Sequence, residues 1–195
     1  MSRLITNAIR STAASSDAMT IDSSGKPSFP NGGVGKILQV VSTTKTNVFS
    51  ESISGGGTSG DVTGLTVTIT PSNASNEILL MPSVSVSYPI ASGNILFLYK
   101  DGSVLTGATG DASGSLRRAT FNGTGSNSAC ETINGNYLDT AGGTSAITYS
   151  VRLGNLRSDS TNTIYVNRAA DADESINNMT LNRVISTFIA MEIAP

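Results

Sequence analysis

Residues 65–70, LTVTIT, decide the fold class because apolar and hydroxyl side chains alternate through them without a break. Successive side chains of a β-strand point to opposite faces of a sheet, so this alternation places one set in a core and the other in water. Residues 144–153 repeat the pattern, with Ile147, Tyr149 and Val151 on one face. Both windows predict strands of a half-buried antiparallel sheet.

Short windows of the same kind recur on both sides of these two, separated by segments rich in Gly, Ser, Asn and Asp. Asp101-Gly102 predicts a hairpin, and Pro82 predicts a bulge or an edge position within its strand. No helical period is convincing beyond the first residues, so the chain is predicted to be an all-β sandwich or barrel. Further strands are predicted at 36–43, 45–53, 77–88, 94–99, 117–121, 129–138, 163–167 and 184–193.

Residues 1–33 differ from the rest and are interpreted as an N-terminal attachment arm, followed by a sandwich domain at 34–195. The arm is predicted to begin as a short helix or irregular segment and to continue as a small strand, a turn and an edge-positioned extended return. So short a segment cannot bury its own apolar side chains, so we expect it to dock on another subunit; a tail without fixed structure is the alternative. The residues expected to dock are Leu4, Ile5, Ile9, Met19, Ile21 and Phe29.

The composition excludes several functional classes. With 195 residues the chain has the length of one domain, or one domain plus an arm. It has no histidine, which removes the commonest general base and metal ligand, and its one cysteine excludes a disulfide framework or a Cys-rich zinc site. Twelve Lys and Arg against 14 Asp and Glu argue against binding to nucleic acid. Neither a membrane span nor a secretory signal is predicted.

No catalytic, cofactor-binding or metal-binding residue is predicted, and the protein is expected not to be an enzyme. Asp171, Asp173 and Glu174 offer the hard oxygen ligands that suit Ca²⁺, but they lack the glycine and glutamate spacing of an EF-hand loop, so a solvated loop is preferred. The pair Arg117-Arg118 is consistent either with an interface or with ordinary solvated surface.

Several segments together resemble a β-domain common in tailed bacteriophages of marine bacteria and cyanobacteria. The resemblance implies a jelly-roll-like antiparallel sandwich, usually in a homotrimer, in a virion. Residues 18–26 are similar to N-terminal segments of phage tail-fibre and other virion proteins. The remaining segments that carry the resemblance are 35–46, 62–72, 76–80, 137–140, 148–153, 163–168 and 191–194.

The expected function is therefore that of a non-enzymatic structural protein on the exterior of a tailed-phage particle. The first expectation is a homotrimeric short tail fibre or spike, attached to other virion proteins by its arm and presenting the sandwich to a glycan or protein of the host surface. The alternatives are a head decoration or cement protein, a secreted bacterial lectin or adhesin and, last, a depolymerase-type enzyme.

Sugar recognition would use loops 54–60, 107–115 and 169–178, with a tyrosine ring for stacking. The receptor-facing candidates are Thr58, Asp111, Ser113, Asp171, Asp173 and Glu174.

Overall fold

A computed structural model describes residues 6–25, 27–29, 36–88, 93–123, 129–157, 159–171 and 183–194. These residues contain no α-helix, and the one helical turn among them is the 3₁₀ turn Thr106–Ala108. The strands are β1 (Ala8–Ile9), β2 (Met19–Ile21), β3 (Pro27–Ser28), β4 (Ile37–Lys45), β5 (Phe49–Ile53), β6 (Thr66–Ile69), β7 (Glu77–Ser87), β8 (Asn94–Lys100), β9 (Ser103–Val104), β10 (Phe121–Gly123), β11 (Glu131–Asn134), β12 (Tyr137–Thr140), β13 (Ile147–Asn155), β14 (Asn162–Val166) and β15 (Ser186–Ile193).

The strands form three antiparallel sheets. A small N-terminal sheet, here called the arm sheet, has the order β1-β2-β3. A five-stranded sheet has the order β10-β8-β13-β6, with β9 paired to β8. A seven-stranded sheet has the order β4-β15-β7-β14-β5, with β11 and β12 also paired to β7. The five- and seven-stranded sheets enclose one apolar core, so the predicted all-β sandwich is confirmed.

The alternation read from the sequence is the alternation of burial in the structure. Val67 and Ile69 of β6 are buried, whereas Thr66 and Thr68 between them are exposed. In β13, Tyr149 is fully buried, as are Val151 and Leu153. The predicted hairpin is also confirmed, because β9 pairs back on β8 and both turn residues, Asp101 and Gly102, have positive φ.

Three local predictions need correction. In the described part of the arm, Ala8–Ile9 pair as strand β1 with β2, where a short helix or an irregular segment was expected, and residues 10–18 are irregular. The strand predicted at 117–121 begins only at Phe121, because the backbone just before it pairs with a loop, the Gly110 N–H donating to the Ala119 carbonyl.

The third correction concerns Pro82. This residue lies in the middle of β7, which is a central strand of its sheet and not an edge strand. Proline has no N–H to donate to a neighbouring strand. The pairing along β7 is accordingly interrupted between β11 and β12, its partners on that side. There β11 ends at Asn134 opposite Ser83, and β12 begins at Tyr137 opposite Leu80.

The two ends of the sandwich are here called the proximal end and the distal end. At the proximal end β4 begins at Ile37, which is in register with Ile193, and Ile193 in turn with Glu77. At the distal end β13 finishes at Asn155, which pairs with Asn94. The arm precedes β4 in the chain, so it joins the sandwich at the proximal end. The predicted boundary between residues 33 and 34 lies outside the described residues.

Candidate functional site

The arm sheet has one apolar face. Ile9 pairs with Met19, and Ile21 pairs with Pro27, so strand alternation places all four on the same side of the sheet. Phe29 follows Pro27 by the two-residue spacing that keeps strand side chains on one face. Ile9 is 48% exposed and Phe29 58% exposed, while Met19 and Ile21 are half-buried.

The opposite face of the arm sheet carries small or polar side chains, including Thr20 and Ser28. The sheet is held by its own backbone: the Ala18 N–H donates to the Ile9 carbonyl, and the Ile21 N–H to the Asn7 carbonyl, both at 2.8 Å. The structure thus brings four of the six predicted docking residues onto one face. Leu4 and Ile5 lie outside the described residues.

Arg117 and Arg118 join two of the three predicted loops. Arg117 Nη2 donates to the Gly57 carbonyl and to Thr58 Oγ1, both at 2.7 Å, and Nη1 donates to the Asn155 carbonyl at 2.6 Å. Arg118 Nε donates to the Gly110 carbonyl. Arg117 therefore fixes loop 54–60 to the end of β13, and Arg118 binds loop 107–115.

Loop 54–60 belongs to the distal end. Thr58 forms a β-bridge with Gly154, next to the last residue of β13. Asp111 and Ser113 follow Gly110 and are exposed, so their polar groups face solvent. Both loops thus carry exposed hydroxyl or carboxylate groups that can hydrogen-bond a polar ligand.

The third loop does not add to this surface in the part of the chain that the structure describes. Asp171 is exposed and follows β14, a strand of the larger sheet. Asp173 and Glu174 lie outside the described residues. Among the residues that are described, no group of three or more His, Cys, Asp or Glu side chains is placed to hold a metal ion.

Two arginines cover aromatic rings on the outer face of the five-stranded sheet. Arg117 Cζ lies 5.4 Å from the ring centre of Phe97, and Arg152 Cζ lies 4.0 Å from that of Tyr99. Such contacts combine cation–π attraction with burial of the ring. A sugar that stacked on the Arg152 side of Tyr99 would have to displace the guanidinium, so Tyr99 is not an open stacking platform.

Asp61 fixes the position of Arg152. Its Oδ1 accepts hydrogen bonds from Arg152 Nε at 2.6 Å and from Ser150 Oγ at 2.8 Å. Burial by itself raises the pKa of Asp61, but these hydrogen bonds outweigh burial, and the net pKa lies below its usual value. The carboxylate therefore stays charged and paired.

A second ionic cluster, which the sequence did not single out, ties the two sheets together. Asp139 Oδ2, on β12, accepts hydrogen bonds from Lys100 Nζ at 2.8 Å and from Tyr149 Oη at 2.7 Å, on β8 and β13. Burial, followed by the nearby charge of Asp139, raises the pKa of Tyr149, so the phenol remains a donor. Lys100 also donates to the Thr140 carbonyl, which makes this cluster a structural tie.

Glu192 is a second buried carboxylate-bearing residue that the sequence analysis did not single out. It is 1% exposed, and its carboxylate accepts four hydrogen bonds from Gln39, Ser72 and Asn76 at the proximal end. A signal was present, because Glu192 occupies an inward position of a strand whose other inward residues include Phe188 and Ala190.

Comparison of the chain with models of protein families and with curated proteins finds no match. None of the described residues belongs to a helix that is long and apolar enough to cross a bilayer.

Proposed function

We propose that this chain is a non-enzymatic structural component of a tailed-phage particle, a homotrimeric short tail fibre or spike with a jelly-roll-like sandwich. Residues 1–33 bind another virion protein, and residues 34–195 face the host surface. The observation that carries the proposal is the apolar face of the arm sheet, formed by Ile9, Met19, Ile21 and Phe29.

The arm sheet is too small to be explained by its own packing. Its strands have two or three residues each, and an isolated sheet of this size is marginal in water. Burial of apolar surface contributes about 25 cal/mol per Å², so a few such side chains seated in a partner supply several kcal/mol per subunit. Three arms on one particle add avidity to that affinity.

The placement of the two ends supports the same assignment. The arm joins at the proximal end, whereas Thr58, held by Arg117, lies at the distal end. A protein that attaches by one end and presents polar loops at the other has the polarity that a fibre or spike requires.

The arm is tested by charge placed on either face of its sheet. Particles are assembled in cells in which Ile9→Asp/Phe29→Asp replaces the normal chain, and incorporation is measured by mass spectrometry of purified particles. We expect incorporation to be lost, because buried unpaired carboxylates oppose docking. The matched control, Ala8→Asp/Ser28→Asp on the opposite face, should be incorporated normally.

Normal incorporation of Ile9→Asp/Phe29→Asp would refute attachment by the arm. An image of the normal particle gives the location: density on the tail supports a fibre or spike, and density on the head instead identifies the decoration alternative.

Host binding is tested separately with the full-length chain and host envelope material. Ser113→Arg, in loop 107–115, is expected to weaken binding. Ser145→Arg, at an exposed loop position that follows β12 at the proximal end, should not. Equal binding by both variants would exclude loop 107–115 from the contact.

A further inference from the structure

A small cavity opens on the outer face of the seven-stranded sheet, beside Pro82. The pairing of β7 with β11 ends at Asn134, and its pairing with β12 begins at Tyr137, so Gly135 and Asn136 lie between the two ladders. The cavity at this interruption has a volume of about 290 Å³. Ligand pockets usually measure about 300–1,000 Å³, so this one has room for a ligand of a single ring.

The strand registers arrange the cavity lining in two rows. Thr187 of β15 pairs with Ser83 of β7, and Ser83 pairs with Asn134 of β11, so two hydroxyls and an amide follow one another about 4.8 Å apart. In the next row Ile189 pairs with Met81. The cavity therefore has hydrogen-bonding groups along one side and apolar surface along the other.

Two asparagines, one on each side of Gly135, border the cavity. Both Asn134 and Asn136 are exposed, and within the described parts of the chain their side chains make no hydrogen bond. The backbone at Gly135 lies so close to the Phe121 ring that a Cβ there would overlap it. This contact fixes the segment that carries both amides, so less freedom is lost when they bind a ligand.

The lining also determines the charge of a suitable ligand. None of the described residues that line the cavity is ionisable. A charged ligand would lose hydration there without gaining a counter-charge, so a neutral ligand is favoured. That ligand must offer polar groups to the amides and hydroxyls, and C–H surface to Met81 and Ile189. A pyranose, the six-membered ring form of a sugar, carries hydroxyl groups around its edge and C–H groups on its faces.

We propose that the cavity binds one neutral pyranose unit of a host-surface glycan. The sugar lays a C–H face on Met81 and Ile189 and bonds its hydroxyls to the asparagine amides. This inference rests on the proposed contact with the host surface and adds a site on a face of the sandwich to the loops described above. A single ring in a site open to water binds with a dissociation constant on the order of 1 mM, so several copies on one particle are needed to hold a cell.

The first test uses the full-length chain and saturation-transfer NMR with the methyl glycosides of glucose, galactose, mannose and N-acetylglucosamine. At least one should bind at millimolar concentration, and the uronic acid of the same sugar should bind more weakly. Asn134→Ala/Asn136→Ala should weaken binding about tenfold, the effect of losing one or two hydrogen bonds. The matched control Asn122→Ala removes an exposed amide from β10, in the other sheet, and should bind normally. Equal binding by the two variants would overturn the site.

A second measurement locates the ligand without a variant. Met81 borders the cavity, whereas Met191 lies further along β15, opposite Leu79. A bound glycoside should slow peroxide oxidation of Met81, followed by mass spectrometry, and leave the rate at Met191 unchanged. No slowing at Met81, or equal slowing at both methionines, would contradict the assignment of this cavity.

Binding to host envelope material separates this inference from the proposed function. A wild-type chain that binds envelope material but none of the glycosides overturns the sugar site and leaves the host contact. Binding of a glycoside without binding to envelope material leaves the sugar site and overturns its role at the host surface. A chain that binds neither overturns both.

Discussion

Replacing Glu192 with glutamine should destabilise the protein in a way that depends on pH. Oε1 of Glu192 accepts from the Ser72 N–H at 2.6 Å, from Ser72 Oγ at 2.8 Å and from Asn76 Nδ2 at 2.5 Å, and Oε2 accepts from Gln39 Nε2 at 2.7 Å. All four partners are donors, so the site is built for a carboxylate. It joins the C-terminal strand to β4 and to the segment between β6 and β7.

The expected loss of unfolding free energy follows from the hydrogen bonds that a glutamine amide can keep at this position. The oxygen of Glu192→Gln can replace Oε1, but its NH₂ group then faces Gln39 Nε2. Gln39 would have to turn its amide and give up its 2.7 Å hydrogen bond to the Thr70 carbonyl. Losing that bond and the charge on the others costs about 2 kcal/mol. Glu192→Leu leaves the donors of Ser72 and Asn76 without an acceptor and should cost about 4 kcal/mol.

The pH dependence has a definite sign. Burial raises the pKa of Glu192, but the hydrogen bonds from Asn76, Gln39 and Ser72 outweigh burial and hold the pKa at about 2, below the usual 4.5. The unfolded state therefore binds more protons than the folded state between these values. The contribution of Glu192 is complete above about pH 4.5 and is lost as pH falls toward 2.

Urea unfolding of both proteins at pH 7 and at pH 3 measures this contribution. The difference in unfolding free energy between wild type and Glu192→Gln should be largest at pH 7 and clearly smaller at pH 3. Other carboxylates titrate in both proteins and cancel in the difference. A difference that is the same at the two pH values would refute the assignment of Glu192 as a buried, ionised acceptor.

Two further predictions concern packing and titration. Gly135→Ala should lower the free energy of unfolding by about 1–3 kcal/mol, because a Cβ at that position overlaps the ring of Phe121. The control Gly143→Ala places its Cβ in free space and should change the free energy of unfolding by less than about 0.5 kcal/mol. Equal effects of the two substitutions in urea unfolding would contradict this. Tyr149→Phe should leave the amplitude of the tyrosinate absorbance near pH 10 unchanged, because burial and Asp139 keep Tyr149 protonated in the folded protein, and a smaller amplitude in the variant would show that Tyr149 does ionise.

The strands could be predicted because alternation is a local property of the sequence. In residues 65–70 and 144–153 the alternation itself predicts which side chains are buried and which are exposed, and the structure confirms the prediction. Strand β1 could not be predicted this way, because its two residues become a strand only by pairing with Met19 and Thr20. Edge or central position is likewise a property of neighbours, which is why Pro82 was misplaced.

The residues of the candidate sites also differ in whether a local sequence pattern could predict them. The hydroxyl of Thr58 and the charge of Arg117 were visible in the sequence, but their 2.7 Å contact joins residues 59 positions apart in the chain. No spacing rule links such residues. Glu192 differs, because a carboxylate at an inward position of an alternating strand is itself a signal of a buried polar network.

Two strands with continuous apolar runs, β8 and β7, show how much of the burial can be predicted from the sequence. A strand that is buried on both faces contains a continuous apolar run, whereas a strand with one wet face alternates. Strand β8 has such a run, and its outward Phe97 is buried, with the Arg117 guanidinium over its ring. Residues 78–81 of β7 form a similar run.

The outward members of that run in β7, Leu79 and Met81, remain half-buried in the single chain. The run ends at Pro82, after which every outward residue of β7 is a serine, so the apolar stretch covers only the part of the strand that pairs with β12 and with residues 189–193 of β15. The rule that accounts for β8 therefore accounts for β7 only in part, because the run in β7 is short and its outward side chains are covered incompletely within the chain.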